Sequence, residues 1–287
     1  MPFPTVVAQR YVTPLREGGS LPAVVETDGG PFVVKFRGAG QGARALVAEL
    51  VAGGVAAELG LPLPTVAVVN LPDGFGRAEP DPEIQDILKG SGGPNVGLAF
   101  LPRAFAYDPA SMADLVDPYL ASCVVWFDAL VTNIDRTPRN PNLLVVAEPD
   151  GSPKLWLIDH GAALYVHHDW PSASPERARS AFAPIRDHVL LPIADDLREA
   201  DEALAPKLTP DVLRAVVEAV PDALLMDAPP GREAPFATAD ANRQAYLDLF
   251  AERLAGPRAW VEAAVASRQE LLETLRTSPA RPLGYRR

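Results

Sequence analysis

The sequence predicts an α+β fold, with a β-rich first hundred residues and a mainly helical remainder. Three observations carry that prediction. Short apolar runs broken by Gly-rich turns fill residues 6–36. One unbroken helical run, 43–59, follows them. Apolar residues at helical spacing then dominate residues 185–280. At 287 residues the chain suits two domains or one large two-part unit, and it buries a core without metal or disulfide staples.

Taken in order, Val6 to Leu15 is β-prone, and Glu17-Gly18-Gly19-Ser20 punctuates it. LPAVVET, the turn Asp28-Gly29-Gly30 and PFVVKF then read as a hairpin. The helix from Ala43 to Leu59 is stopped by Gly60 and Pro62. TVAVVNL, residues 65–71, is a further strand. Residues 72–95 form a Gly-, Pro- and Asp-rich loop with a short helix at PEIQDILK, and GLAFLP, 97–102, is the next strand. Met112 to Thr132 reads as one apolar helix, followed by the polar segment Asn133 to Asn142. LLVVAEPDGSPKLWLID is a hairpin turning at Pro149-Asp150-Gly151. LRAVVEAVPDALL, AYLDLFAERLA and AWVEAAVASRQELLETL close the chain as helices. The change of character places a boundary near residue 103, giving units 1–103 and 104–287 with no internal repeat.

Composition excludes several classes. Lys plus Arg is 26 against 37 for Asp plus Glu, a net charge of -11, which argues against a broad nucleic-acid or anionic-membrane surface. The lone Cys123 excludes a disulfide framework, a Cys-based zinc cluster and a CxxC redox site. No stretch reaches the roughly 18 apolar residues of a membrane span. MPFPTVVAQR lacks the basic and apolar regions of a secretory signal, so the expected location is the cytoplasm. With only four lysines against 22 arginines, each lysine is informative.

The chemistry-bearing segment is Asn133-Ile134-Asp135-Arg136-Thr137-Pro138-Arg139-Asn140-Pro141-Asn142, followed by the hairpin whose second strand delivers Asp159-His160-Gly161. Asp135 and Asn140 share a loop too Pro-rich to be helical. A hairpin returns the chain, so the loop before it and the residues after it lie close together. Two carboxylates and an amide oxygen around one point suit a hard cation such as Mg²⁺ with room for substrate phosphates. The order Asp, five residues to Asn, hairpin, Asp-x-Gly is that of a kinase-type phosphoryl-transfer site.

On these residues the chain resembles the HipA-like kinases and, more distantly, the lipid kinases of the phosphatidylinositol group. Their catalytic loop has the form Asp-x-His-x-x-Asn or Asp-Arg-His-x-x-Asn, matched by Asp135, Arg136 and Asn140, with Thr137 in place of the His. Asp159-His160-Gly161 stands where the Asp-Phe-Gly metal triplet would be, and the likeness covers about residues 5–190. The resemblance implies a two-lobed protein-kinase-like fold, ATP and Mg²⁺ as cofactors, and transfer to a Ser or Thr hydroxyl of a protein. Asp135 would be the base or orienting residue, Asn140 and Asp159 would hold the metal, and Arg136 with Lys35 would neutralise charge. It also implies a protein partner by analogy with antitoxin-associated relatives; the chain has no helix-turn-helix of its own.

The first half supplies the remaining parts. Lys35 sits on a strand, and Glu49 lies at the edge of the Leu46/Leu50/Ala57 stripe of the following helix, where it can turn towards Lys35. Gly18, Gly19 and Ser20 suit a turn covering the phosphates. Leu98, Ala99 and Phe100 would be the hinge strand whose backbone meets adenine. The acceptor pocket would be built from residues 162–190 and the C-terminal helices, and the acceptor is a hydroxyl on a protein or small molecule. His160, His167 and His168 read as solvated loop residues, and His188 as structural. Two other readings stay open. One is a pseudokinase or ATP-binding scaffold without transfer. The other is an NAD(P)-binding protein, because Gly40-Gln41-Gly42-Ala43-Arg44-Ala45 fits G-x-G-x-x-A between a strand and a helix.

Overall fold

The computed structural model describes residues 3–15, 21–40, 42–77, 79–228 and 233–277. The predicted turn at Gly18, Gly19 and Ser20 lies outside the described residues. Strands β1 (Thr5–Pro14), β2 (Ala23–Thr27) and β3 (Gly30–Lys35) form an antiparallel meander. Helix α1 (Gly42–Leu59), β4 (Val66–Leu71), α2 (Pro82–Lys89) and β5 (Gly93–Ala99) follow. β5 inserts between β3 and β4, antiparallel to both, and β1 pairs parallel with β4. The result is a closed barrel in the order β1-β2-β3-β5-β4.

Strand alternation divides the apolar residues between two cores. Val25, Val34, Ala67 and Val69 fill the barrel. Val66, Val68 and Val96 face outward onto α1 and join the larger core of the second half. α1 is therefore buried almost all round, with Arg44 half-buried and Ala57 and Glu58 exposed, so Ala57 is not part of a buried stripe. Adjacent glycines make this possible. A Cβ on Gly53 would stand 3.0 Å from Val66 of the barrel, and one on Gly54 would stand 2.7 Å from Val216 on the opposite side.

The second half begins with β6 (Ala104–Ala106), α3 (Pro118–Leu130), β7 (Leu143–Ala147) and β8 (Pro153–Leu157), the strands forming a sheet in the order β6-β7-β8. It continues through α4 (Pro175–Arg179), α5 (Leu197–Leu204), α6 (Pro210–Glu218), α7 (Asp222–Leu225), α8 (Ala239–Leu254) and α9 (Ala259–Thr277). α3 starts six residues later than the apolar run suggests, because Asp117 caps it through the Leu120 N–H at 2.8 Å and Pro118 occupies the first turn. β6 has three residues, too few for an alternation signal. β5 starts and ends earlier than expected, which leaves Phe100 just beyond it. No helix among the described residues is long and apolar enough to cross a membrane.

The topology corrects the dinucleotide reading. That fold needs adjacent parallel strands around the first helix. Here β5 separates β3 from β4, and β3 is antiparallel to both of its neighbours. Gly40 and Gly42 therefore open no dinucleotide-binding unit.

Candidate active site

Lys35 is the last residue of β3 and is 6% exposed. Its ammonium lies 2.6 Å from Glu49 on α1 and 2.6 Å from Asp159 just beyond β8. Glu49 is fully buried and accepts the His160 backbone N–H at 3.0 Å, and His160 Nδ1 lies 3.1 Å from its other oxygen. Burial alone would lower the lysine pKa, but the two carboxylates outweigh it and raise the pKa. Burial opposes the charge on Glu49 too; Lys35 and His160 overcome that and hold its carboxyl well below the usual range. A Cβ on residue 161 would stand 3.3 Å from the ammonium and 3.4 Å from Asp159, which explains Gly161. Asp159 is the open member of the cluster, with 38% of its side chain exposed.

The loop after α3 shapes the second part. Asn133 accepts the Asp135 backbone N–H at 3.1 Å. Asn140 donates its side-chain amide to Asp135 Oδ2 at 2.7 Å, and Asn142 does so at 3.3 Å. Thr137 and Asn140 exchange backbone hydrogen bonds, both at 3.1 Å, which close the loop between them. The Ile158 N–H reaches the Asn142 carbonyl at 3.1 Å, so this loop meets the chain one residue before Asp159. Thr132, Asn142, Asp159 and Leu164 have φ of 53°, 49°, 54° and 55°. Such left-handed backbone at non-glycine residues is costly and gathers at functional sites.

Asp135, Asn140, Asp159, Lys35 and Glu49 are thus linked through hydrogen bonds, ion pairs and adjoining backbone. The oxygen donors suit a hard cation: Asn140 spends its N–H on Asp135 and keeps its amide oxygen, and Asp159 offers a part-exposed carboxylate. Among the described residues no three His, Cys, Asp or Glu side chains cluster as metal ligands.

Arg136 departs from its expected role. It is 1% exposed and faces inward. Its Nε lies 2.5 Å from the buried Asp128, and its Nη1 meets the carbonyls of Asn142 and, at 3.2 Å, Ile158. An arginine held by these partners clamps the loop to the hairpin and does not reach phosphates. Asp128 also accepts from Asn133 at 2.9 Å and faces His188 Nε2 at 2.9 Å. Burial opposes its ionisation, but Arg136 and His188 hold its pKa well below the usual range. His188 is structural, as expected. His160 and His167 are not solvated: both are buried, and His160 packs edge-on against Phe127 at 5.7 Å. His168 is exposed, as expected.

The hinge expectation also narrows. Leu98 is buried, and the N–H groups of Ala99 and Phe100 are taken by the carbonyls of Thr65 at 2.9 Å and Pro31 at 3.0 Å. Those two donors are not open to adenine.

Sequence reasoning missed Asp128 and Arg253. Asp128 had a signal, being a lone carboxylate in an otherwise apolar helix. Arg253 had none. From α8 it donates to the Leu130 and Ala129 carbonyls, both at 2.6 Å, capping α3 just before the loop. It also reaches the Ala178 carbonyl of α4 at 2.7 Å. Burial lowers its pKa to about 10.

The comparisons with known proteins bear on this geometry. Among solved structures, the chain is similar to the Helicobacter pylori proinflammatory kinase CtkA. Identity is 13%, the match covers 93% of this chain and 99% of that one, and the TM-score is 0.53, a likeness of fold. No curated protein matches. A family model described as HipA-like kinase matches residues 13–227, most of the chain. Together with the lysine, glutamate and aspartate gathered at one point, that match shows that the chain belongs to the HipA-like kinase family.

Proposed function

We propose that the chain transfers the γ-phosphoryl group of ATP to a Ser or Thr hydroxyl of a protein, with Mg²⁺ as the metal. Residues 1–103 form the nucleotide-binding lobe and 104–287 the acceptor-binding lobe. The observation that carries this reading is the Lys35 ammonium held 2.6 Å from both Glu49 and Asp159. Glu49 is sealed in and fixes the lysine. Asp159 is the part-exposed partner, so its carboxylate would be free to leave Lys35 for a metal, with Lys35 then available to a nucleotide phosphate. Asn140 and Asp159 would hold Mg²⁺, which when bound offsets phosphate charge. Asp135, oriented by Asn140 and Asn142, accepts the proton of the attacking hydroxyl. Arg136 acts at a distance by holding that loop against the hairpin.

Two variants test the reading. Asp159→Asn is expected to lose Mg²⁺-dependent ATP affinity in calorimetry. Asp135→Asn is expected to keep most of that affinity and lose radiolabel transfer by about 10²–10⁴-fold. If both variants bind Mg-ATP and transfer phosphate like the parent, the site is misassigned.

A further inference from the structure

A cavity of about 690 Å³ lies beside the loop that carries Asp135. Its walls come from that loop, the segment 165–184, Phe236 and α8, with Ile134, Tyr165, Trp170, Phe182 and Leu249 as the other large apolar members. Ile134 is the immediate neighbour of Asp135. The space holds about twenty water-sized groups, enough for two or three side chains.

The charges on its wall cancel, and they have partners of their own. Arg253 is committed to three carbonyls. Arg177 lies 3.6 Å from Asp169, Glu252 lies 2.6 Å from Arg179, and Asp248 accepts from Gln244 at 2.8 Å. Among the described residues each wall cation already has a carboxylate or carbonyl partner, so the wall does not select an anionic occupant, and Asp248, with only a neutral amide against it, balances no cation inside the cavity. Part of the apolar lining also lies in solvent: Ile134 is 41% exposed and Tyr165 52%. A polypeptide segment running across the opening would cover them while lowering side chains inside.

Resting on the phosphotransfer reading, we propose that this cavity selects the acceptor, and that the acceptor is a peptide segment with bulky uncharged side chains beside its Ser or Thr. A mainly apolar lining flanked by the exposed Arg177 and Asp248 has the anatomy of a protein-recognition surface. With the side chains seated, the hydroxyl stands at Asp135. The hydroxyl oxygen forms its bond to the γ-phosphorus. The bond from that phosphorus to the β,γ-bridging oxygen breaks, ADP leaves with the electron pair, and the hydroxyl proton passes to Asp135.

The test uses the full chain and two fluorescent ten-residue peptides of equal net charge with one central Ser. One carries Trp and Leu beside the Ser; the other carries Gln and Ala. Anisotropy reads peptide binding without nucleotide, and radiolabel from Mg-ATP reads transfer. We expect at least about tenfold preference for the Trp/Leu peptide in both assays. Ala245→Trp, which fills the cavity, and Leu249→Gln, which makes it polar, should each bring that preference near one. Mg-ATP affinity should be unchanged in both variants. Equal use of the two peptides, or a preference that survives both variants, overturns the proposal. So does phosphorylation of the neutral alcohol 2-naphthaleneethanol with neither peptide bound. Cavity-dependent peptide binding with no phosphoryl transfer supports the recognition surface and tells instead against the phosphotransfer reading.

Discussion

Two clusters in this protein have nearly the same ingredients. One holds Lys35, Glu49, Asp159 and His160. The other holds Arg136, Asp128, Asn133 and His188. Each sets a cation against a fully buried carboxylate whose pKa is driven down by its neighbours. Beyond the second carboxylate of the first cluster, they differ in exposure. In the first, the Asp159 side chain is 38% exposed; in the second, both Arg136 and Asp128 have 0% side-chain exposure. An open member can exchange its partner for a ligand. A sealed set can only hold backbone in place. Composition therefore does not separate a site from a scaffold; access by solvent to one member does.

Replacing the cation in each cluster tests that distinction. Lys35→Met is expected to lower phosphoryl transfer by about 10²–10³-fold, the usual cost of removing one charge-stabilising donor. It also costs some stability, because Glu49 loses a partner, but Glu49 keeps the His160 backbone N–H and Asp159 can turn to water. Arg136→Met is expected to destabilise by about 3–5 kcal/mol, because the buried Asp128 loses the arginine that offsets its charge and keeps only Asn133 and His188. The loop carbonyls of Asn142 and Ile158 lose their donor in the same variant. Urea midpoints and transfer rates per folded molecule separate the two. If Arg136→Met folds like the parent and fails only in transfer, the sealed cluster belongs to the chemistry and the contrast collapses.

The difference also explains how much of the molecule was legible in its sequence. Lys35, Glu49, Asp135, Asn140 and Asp159 could be found because they have fixed spacings relative to strands and turns, and the helix phase of Glu49 already turned it towards Lys35. Arg136 had the same legible spacing, yet its direction depends on Asp128, eight residues back on α3. Only the folded chain brings those two together. The strands were readable as apolar runs between turn residues, except β6, whose three residues are too short a run. The start of α3 was misplaced because apolar content runs on through a 3₁₀ turn at 113–115, and the cap, not the pattern, sets the boundary. Arg253 was invisible because its partners are backbone carbonyls, which leave no mark in sequence.

The smallest expected effect concerns the histidine of the sealed cluster. His188 Nδ1 accepts the Leu190 N–H at 3.0 Å, so its proton sits on Nε2, which faces Asp128 at 2.9 Å. Both ring nitrogens are satisfied in the neutral form. Burial holds the pKa of His188 below its ordinary 6.5 despite the nearby Asp128, and protonation would break the Leu190 contact. The unfolded chain takes up this proton near pH 6.5, whereas the folded chain resists it. Stability from this group is therefore full above that pH and lost as pH falls, by about tenfold in the folding equilibrium per unit, until the folded value is reached. His167, lowered by burial to about 3, adds a second proton of the same sign. His188→Asn can still accept the Leu190 N–H without titrating, although its shorter amide does not replace Nε2 at Asp128. It should fold less stably than the parent at pH 8 and remove one proton from the slope of urea stability between pH 6.5 and the folded value of His188. The His167 contribution should remain. A variant with the parent's full slope would mean that His188 is protonated in the folded protein, and that the sealed cluster carries a charge the present geometry denies it.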